Sequence, residues 1–408
     1  MLKKLTMSLA VAILLLTSCA PSINNEDEVV KDEDKSEQET SIVSNKLSDE
    51  DYRTLLPYRP SASRGVITGQ MGNRLDIDEA ETGLRRLSKD YFDPDEYLFE
   101  EGQYLDSDML YRWLESYPTD DELSELKNQL EKQVKDNKIK KKEMEKRLAK
   151  RKQALNPPLD EENATIDDHE QNPKYVSHIL EQDFLKRHDD DKVELSGVSI
   201  GIALKSVYRF EVEGNPGKVE ISKSKMLDKG KEIAKTVLKR VRNIDALSDI
   251  PIMIALYREE DENAPVPGNF VAKTSVKSGE ASISDWENLN EENVLFPSDR
   301  GEEKNYDTQQ LVKNFGSRIE EYFPNYVGVI GDGFYIGDDL QELTLEIPIE
   351  FHGKEEVVGF TQYVSKLADE MFEDYYDLNI NIKSDEKMES VISRDAGDSE
   401  KQVHVFDT

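Results

Sequence analysis

The chain opens with a run from Met7 to Leu16 that carries no charge. It then turns acidic and polar, and residues 21–46 show no apolar period. Apolar residues return at helical spacing in "TGLRRLSKDYF" (82–92) and "DMLYRWLESY" (108–117), which predicts two amphipathic helices. Ahead of them, in "LSDEDYRTLLPYRPSASRG" (47–65), Ser48 with Asp51 three residues on reads as a helix N-cap. One long helix is predicted over 119–155, capped by Asp120, with Leu123, Leu126, Leu130 and Val134 on one face. Pro157 and Pro158 end it, and residues 156–173 read as a loop or linker.

Beyond residue 193 the period changes. "VELSGVSIGIALKSVYRFE" (193–211) is β-branched and bounded by glycine, so it reads as strand. An amphipathic helix follows over 224–244, then a buried strand, "DIPIMIALYRE" (249–259). The order returns downstream. "GVIGDGFYIG" (328–337), with Asp332-Gly333 as a turn pair, and "LQELTLEIPIEFHG" (340–353) read as strands. A helix over 355–377 and a strand, "LNINIKS" (378–384), complete the second set. Between the sets, residues 262–325 hold a Pro/Gly-rich loop and the short helix "TQQLVKNFGSRIEEYF". The fold class is therefore α/β (α+β): an N-terminal helical region followed by two strand–strand–helix–strand units. The chain divides into a leader (1–18), an acidic disordered tether (19–46) and a mainly helical region with the long charged helix (47–155). A linker (156–192), a first α/β unit (193–265) and a second unit with a polar, fraying tail (266–408) follow.

Composition narrows the function. A formal net charge of -33 over 408 residues repels a phosphate backbone, which excludes nucleic acid as a partner. The single cysteine, Cys19, rules out an internal disulfide and thiolate clusters. Its position carries more. "MLKKLTMSLAVAILLLTSCA" has a basic start at Lys3 and Lys4, then an apolar run short of the roughly 20 residues that span a bilayer, then small residues. That is the layout of a secretion signal. Its end, Leu16-Thr17-Ser18-Cys19, resembles the bacterial lipobox. The resemblance implies diacylglycerol on the Cys19 thiol, cleavage between Ser18 and Cys19 by lipoprotein-processing peptidases, and an N-acyl lipid on the new N-terminus. Two signals of that kind anchor a protein stably where one chain is marginal. The body is then expected on the extracellular face of the cell membrane. The acidic tether would span roughly 28 Å as a flexible coil.

The sequence carries few patterns of reactive chemistry. HExxH and Walker A patterns are absent from the sequence, and the glycines at 328, 331 and 333 are followed by a strand rather than a helix. His169, His178, His188, His352 and His404 fall at no metal-ligand spacing, and "HDDDK" (188–192) lacks the EF-hand pattern. No catalytic or metal-binding residue is assigned, no cofactor beyond the lipid is expected, and the chain reads as a non-enzyme. The basic stretch 138–152 reads as a solvated helix face with pairs such as Glu143 with Arg147. Trp113 reads as core. Tyr322, Phe323, Tyr326, Phe334 and Tyr335 lie close in sequence and read first as core filling. An envelope peptide- or glycan-binding surface is the alternative for the body, and an unrecognised envelope enzyme a further one.

Several stretches resemble a known family. The seven residues before the cysteine, Ala12, Ile13, Leu14, Leu15, Leu16, Thr17 and Ser18, are similar to a hydrophobic heptapeptide released from lipoprotein signal peptides of the CamS family of low-GC Gram-positive bacteria. "YRTLLPYRPSASRG", "VPGNFVAKTSVKSGE", "SDWENLNEENVLFPS" and "EEYFPNYVGVIGDGFY" resemble the body of the same family. The resemblance implies a precursor with two products: a surface lipoprotein, and a trimmed peptide, AILLLTS, that acts outside the cell on a pheromone receptor of recipient cells and induces plasmid conjugation. The peptide departs from the family's active form at Leu14, Leu15 and Thr17, with apolar character kept at the first two.

Overall fold

Strand residues 252–258 set the layering. Ile252, Ile254 and Leu256 face one core, and Met253, Ala255 and Tyr257 face another, so the strand is buried on both sides. A continuous apolar run is what such a central strand requires. The computed structural model describes residues 27–31, 40–43, 46, 48 and 51–406, apart from 189–191, 324–325, 351–352 and 386.

In chain order, strands β1 (Asp27–Lys31), β2 (Thr40–Ile42) and β3 (Arg53–Leu56) lead into helices α1 (Val66–Gln70) and α2 (Arg74–Ser88). Then come β4 (Leu98–Glu101), α3 (Ser107–Leu114), β5 (Ser116–Tyr117), α4 (Asp120–Lys135), α5 (Lys141–Arg151), β6 (Asn156–Pro158) and α6 (Ile166–Gln171). The first half ends with β7 (Val176–Arg187), β8 (Lys192–Leu204), β9 (Val207–Val212), β10 (Asn215–Glu220), α7 (Lys223–Val241), β11 (Ile252–Arg258), β12 (Asn269–Val276) and β13 (Glu287–Asn288). The second half runs β14 (Glu291–Phe296), α8 (Asp299–Lys304), α9 (Tyr306–Glu320), β15 (Ile330–Ile336), β16 (Asp339–Pro348), α10 (Lys354–Met371), β17 (Asp377–Lys383), β18 (Met388–Arg394) and β19 (Gln402–Val405).

Two sheets dominate. The first has nine strands in the order β1-β2-β3-β4-β7-β8-β11-β12-β13, and the second has six, β14-β15-β16-β17-β18-β19. The first is covered by α3 and α7 on one face and by α1 and α2 on the other. The second packs α9 and α10 on one face. From β4 to β13 the senses run antiparallel, antiparallel, parallel, antiparallel, antiparallel. From β14 to β19 they run the same way. The crossover helix is α7 in one copy and α10 in the other. The expected echo is therefore a repeated topology of six strands. Its second strand is β7, which the sequence placed in a linker.

Several expectations change. Strand β7 lies inside the stretch read as linker 156–192; its polar residues are buried beside apolar ones rather than solvated, which hides the strand pattern. The 119–155 helix is two helices, α4 and α5, broken at Asn137, whose φ of 56° ends the helical path. Thr119, not Asp120, caps α4, in a reciprocal capping box with Glu122. Ser48 and Asp51 bond to each other (3.1 Å), but a strand, β3, follows them rather than a helix. Asp332 and Gly333 lie within β15, and the hairpin turns at Gly337, whose φ is 66°. Gly333 is glycine for space: a Cβ there would meet the Phe296 ring at 2.9 Å. The tail after Ser393 supplies β19.

The tether reading also changes. β1 pairs with β2 and, in parallel, with β8, so β1, β2, β3, β4, β7 and β8 close on themselves. Ile42, Leu55, Leu98, Leu185 and Val193, one from each of the last five strands, fill that closure.

Candidate functional site

Strand β7 positions the candidate site through its period of two. On one face Ile179 enters the core under α3 and α7. The Glu181 and Asp183 carboxylates turn to the loop before α3: Glu181 accepts from the N–H groups of Tyr104 (3.1 Å) and Leu105 (2.8 Å), and Asp183 from Gln103 N–H (3.0 Å). Burial still pushes Glu181 up to about 7. On the other face, His178, Leu180 and Gln182 line a cleft of about 730 Å³ beneath α1, α2 and the 51–65 segment. That volume sits within the range of small-ligand sites, about 300–1,000 Å³.

The floor is polar but incompletely bonded. His178 is 2% exposed, burial lowers its pKa to about 3, and its Nδ1 has no hydrogen-bond partner. The imidazole is therefore neutral at all physiological pH values. Gln182 Nε2 donates to Glu81 O at 2.8 Å, while its Oε1 is buried without a donor. Each unmatched buried group costs about 1–3 kcal/mol, so a strand floor holding two is placed for something other than stability alone.

The walls are apolar: Tyr52, Ile67, Ile77 and Phe99, with the Tyr52 and Phe99 rings 6.2 Å apart. Arg64, Arg74, Arg85, Asp51, Glu81 and Glu101 stand around them. Glu101 is occupied, accepting from the Tyr58 hydroxyl and from Ser61 N–H (2.6 Å). Burial first, and then that bond to Glu101, push Tyr58 up to about 12. Arg74 is paired with Asp78 at 2.8 Å. Arg85 lies 5.5 Å from the centre of the Phe99 ring. Among the described residues, neither Arg64 nor Arg85 has a carboxylate within ion-pair distance. Burial and the nearby Glu101 raise Glu81. The Ser61 and Ser63 hydroxyls bond to each other at 3.1 Å.

Other buried acids lie elsewhere. Asp76 accepts from the Tyr257 hydroxyl (2.7 Å) and Gly268 N–H (2.7 Å), tying α2 to the loop before β12. Burial raises Glu259 to about 7 although Lys205 stands 3.7 Å away, and it raises Asp332 to about 7. Among the described residues no group of three or more His, Cys, Asp or Glu is placed to hold a metal ion, and no helix is long and apolar enough to cross a membrane.

Ala12, Ile13, Leu14, Leu15, Leu16, Thr17, Ser18 and Cys19 lie outside the described residues. The basic stretch forms α5, which buries no residue and carries the expected Glu143–Arg147 pair at 2.9 Å. Trp113 is core, 2% exposed, with the Arg240 guanidinium 5.1 Å from its ring. The aromatic group divides: Tyr335 is buried, Phe323 and Tyr326 pack against the second core, and Tyr322 is exposed. Phe334 lies under Arg86, 4.3 Å from it. These side chains do not form one surface.

The cleft was not foreseen. Its segment 52–65 is distinctive in sequence, yet only the fold brings Tyr52, Tyr58 and Arg64 opposite β7. The alternation of His178, Leu180 and Gln182 was the available signal.

The chain matches the model of a family described as CamS sex pheromone cAM373 precursor over residues 58–400. Its fold is similar to the crystal structure of a sex pheromone precursor from Lactobacillus salivarius subsp. salivarius UCC118. The identity is 28% and the TM-score 0.76, over 90% of this chain and 99% of that one. It is also similar to the C-terminal domain of the sex pheromone staph-cAM373 precursor from Staphylococcus aureus. There the identity is 28% and the TM-score 0.68, over 83% of this chain and 99% of that one. No curated protein matches the sequence.

Proposed function

The chain belongs to the CamS family of sex pheromone cAM373 precursors, and from that premise we propose a surface lipoprotein precursor with two products. Cys19 carries the diacylglycerol and the N-acyl lipid, the processing peptidase cuts after Ser18, and the body stays on the outer face of the cell membrane. Residues Ala12 to Ser18 leave as the heptapeptide AILLLTS, which a receptor on the responding, plasmid-carrying cells reads as a conjugation signal. The leader's order of charge, apolar run, small residues and lone cysteine supports this reading. Labelled palmitate should enter the protein, and Cys19→Ala should abolish the label; incorporation that survives the substitution sinks the anchor. Synthetic AILLLTS should clump responsive donor cells at micromolar dose, and silence there removes the signalling role.

The body we read as a ligand-binding module rather than an enzyme. One observation carries this: a cleft of about 730 Å³ whose buried floor leaves His178 Nδ1 and Gln182 Oε1 without partners. Thermal shift of the lipid-free body against envelope peptides and chito-oligosaccharides tests it. No shift with any of them at millimolar concentration removes the binding role.

A further inference from the structure

We propose that this cleft binds a short apolar peptide by its backbone and its free C-terminal carboxylate. The inference rests on the binding-module reading and names the ligand class.

The floor selects for neutral polar groups. His178 and Gln182 flank Leu180 on one face of β7, each at least nine-tenths buried, and each has an unpartnered polar atom. Peptide amides supply both a donor and an acceptor at such a spacing. From residue 178 to residue 182 a strand extends roughly 13 Å, which matches about four residues of extended peptide. The apolar walls, Ile67, Ile77, Tyr52 and Phe99, then take alternate side chains.

The charges around the cleft select the end. In a chain of net charge -33, Arg64 and Arg85 line a cavity without a carboxylate partner among the described residues. Guanidinium groups fit a carboxylate with two parallel hydrogen bonds. Asp51, Glu81 and Glu101 line the same cleft, so at most a single negative charge is accommodated at the arginines and a dianion is opposed. A neutral glycan would leave both arginines unused.

The experiment uses the lipid-free body and titration calorimetry. The probes are AILLLTS, the same peptide amidated at its C-terminus, a tetramer of N-acetylglucosamine, and inorganic phosphate. AILLLTS should bind saturably. The amidated form should bind at least about 10-fold more weakly, as should the free acid to the double variant Arg64→Gln/Arg85→Gln, whose melting temperature should be unchanged. Thr68→Trp, which fills the cleft from the exposed side of α1, should abolish binding at an unchanged melting temperature. Equal binding of the amide, or binding that persists in Thr68→Trp, overturns the assignment. Binding of the glycan or phosphate without the peptide overturns the peptide and leaves the module reading standing. No binding by any probe overturns both.

Discussion

Asn156 should be among the most costly positions to truncate, because it couples the helical region to the cleft floor. Its side chain is 2% exposed and fully engaged. Nδ2 donates to Leu114 O (2.8 Å) and Val176 O (3.0 Å), while Oδ1 accepts from Tyr175 N–H (2.8 Å) and Val176 N–H (2.9 Å). Asn156→Ala removes four bonds and leaves four backbone groups inside the protein. At about 1 kcal/mol net for each bond, the loss is about 4 kcal/mol. That is a large part of a typical stability of 5–15 kcal/mol. Urea unfolding followed by tryptophan fluorescence reads it selectively, since Trp113 and Trp286, the chain's two tryptophans, both pack in the first core. Asn156→Asp is the informative companion. Its carboxylate keeps the two N–H partners but faces two carbonyl oxygens, so its folded pKa is raised and its stability should fall as pH rises. A loss under about 1.5 kcal/mol for the alanine variant, at an unchanged m-value, would refute the claim that this residue carries the junction.

Other outcomes follow from the same geometry. Burial raises Glu181 from its ordinary 4.5 to about 7, so the stability it contributes is present in acid and is lost as pH climbs from 4.5 through 7. Glu181→Gln should flatten the decline between pH 5 and 8 in denaturant titrations, and an unchanged slope would contradict the assignment. In Gly268→Ala the new Cβ would lie 1.9 Å from the Arg258 carbonyl oxygen, so the hairpin must shift and the melting curve should record a loss of about 2 kcal/mol or more. Glu143→Ala removes an exposed, solvent-screened pair on α5 and should leave the unfolding midpoint unchanged; a clear shift of the midpoint would contradict this reading.

The legible parts of the sequence were those with one environment along their length. The 252–258 strand is apolar throughout because both its faces are covered, and the apolar faces of α7 and α10 keep a clean helical period. Strand β7 failed that test. His178, Glu181, Gln182 and Asp183 are buried through hydrogen bonds or cavity contact that no local pattern encodes. Strand β12 was lost beside the Pro/Gly-rich loop that precedes it, although Phe270, Val271 and Ala272 are fully enclosed. The cleft shared this difficulty. Its floor and the 52–65 segment lie more than 100 residues apart, and Arg64 has no sequence neighbour that marks it.

The closure of β1 onto β8 changes a length. The acidic segment read as a spacer of some 26 residues includes the strands Asp27–Lys31 and Thr40–Ile42. Between Cys19 and the first of these strands stand residues 19–26 alone, eight in all. Eight residues reach at most about 28 Å when fully extended. With Cys19 lipidated, the start of the first sheet would stand off the lipid surface by less than the thickness of the bilayer's own hydrocarbon core, about 30 Å. Whatever the cleft collects would then be collected close to the membrane, where an apolar peptide partitions and where its local concentration exceeds that in the bulk.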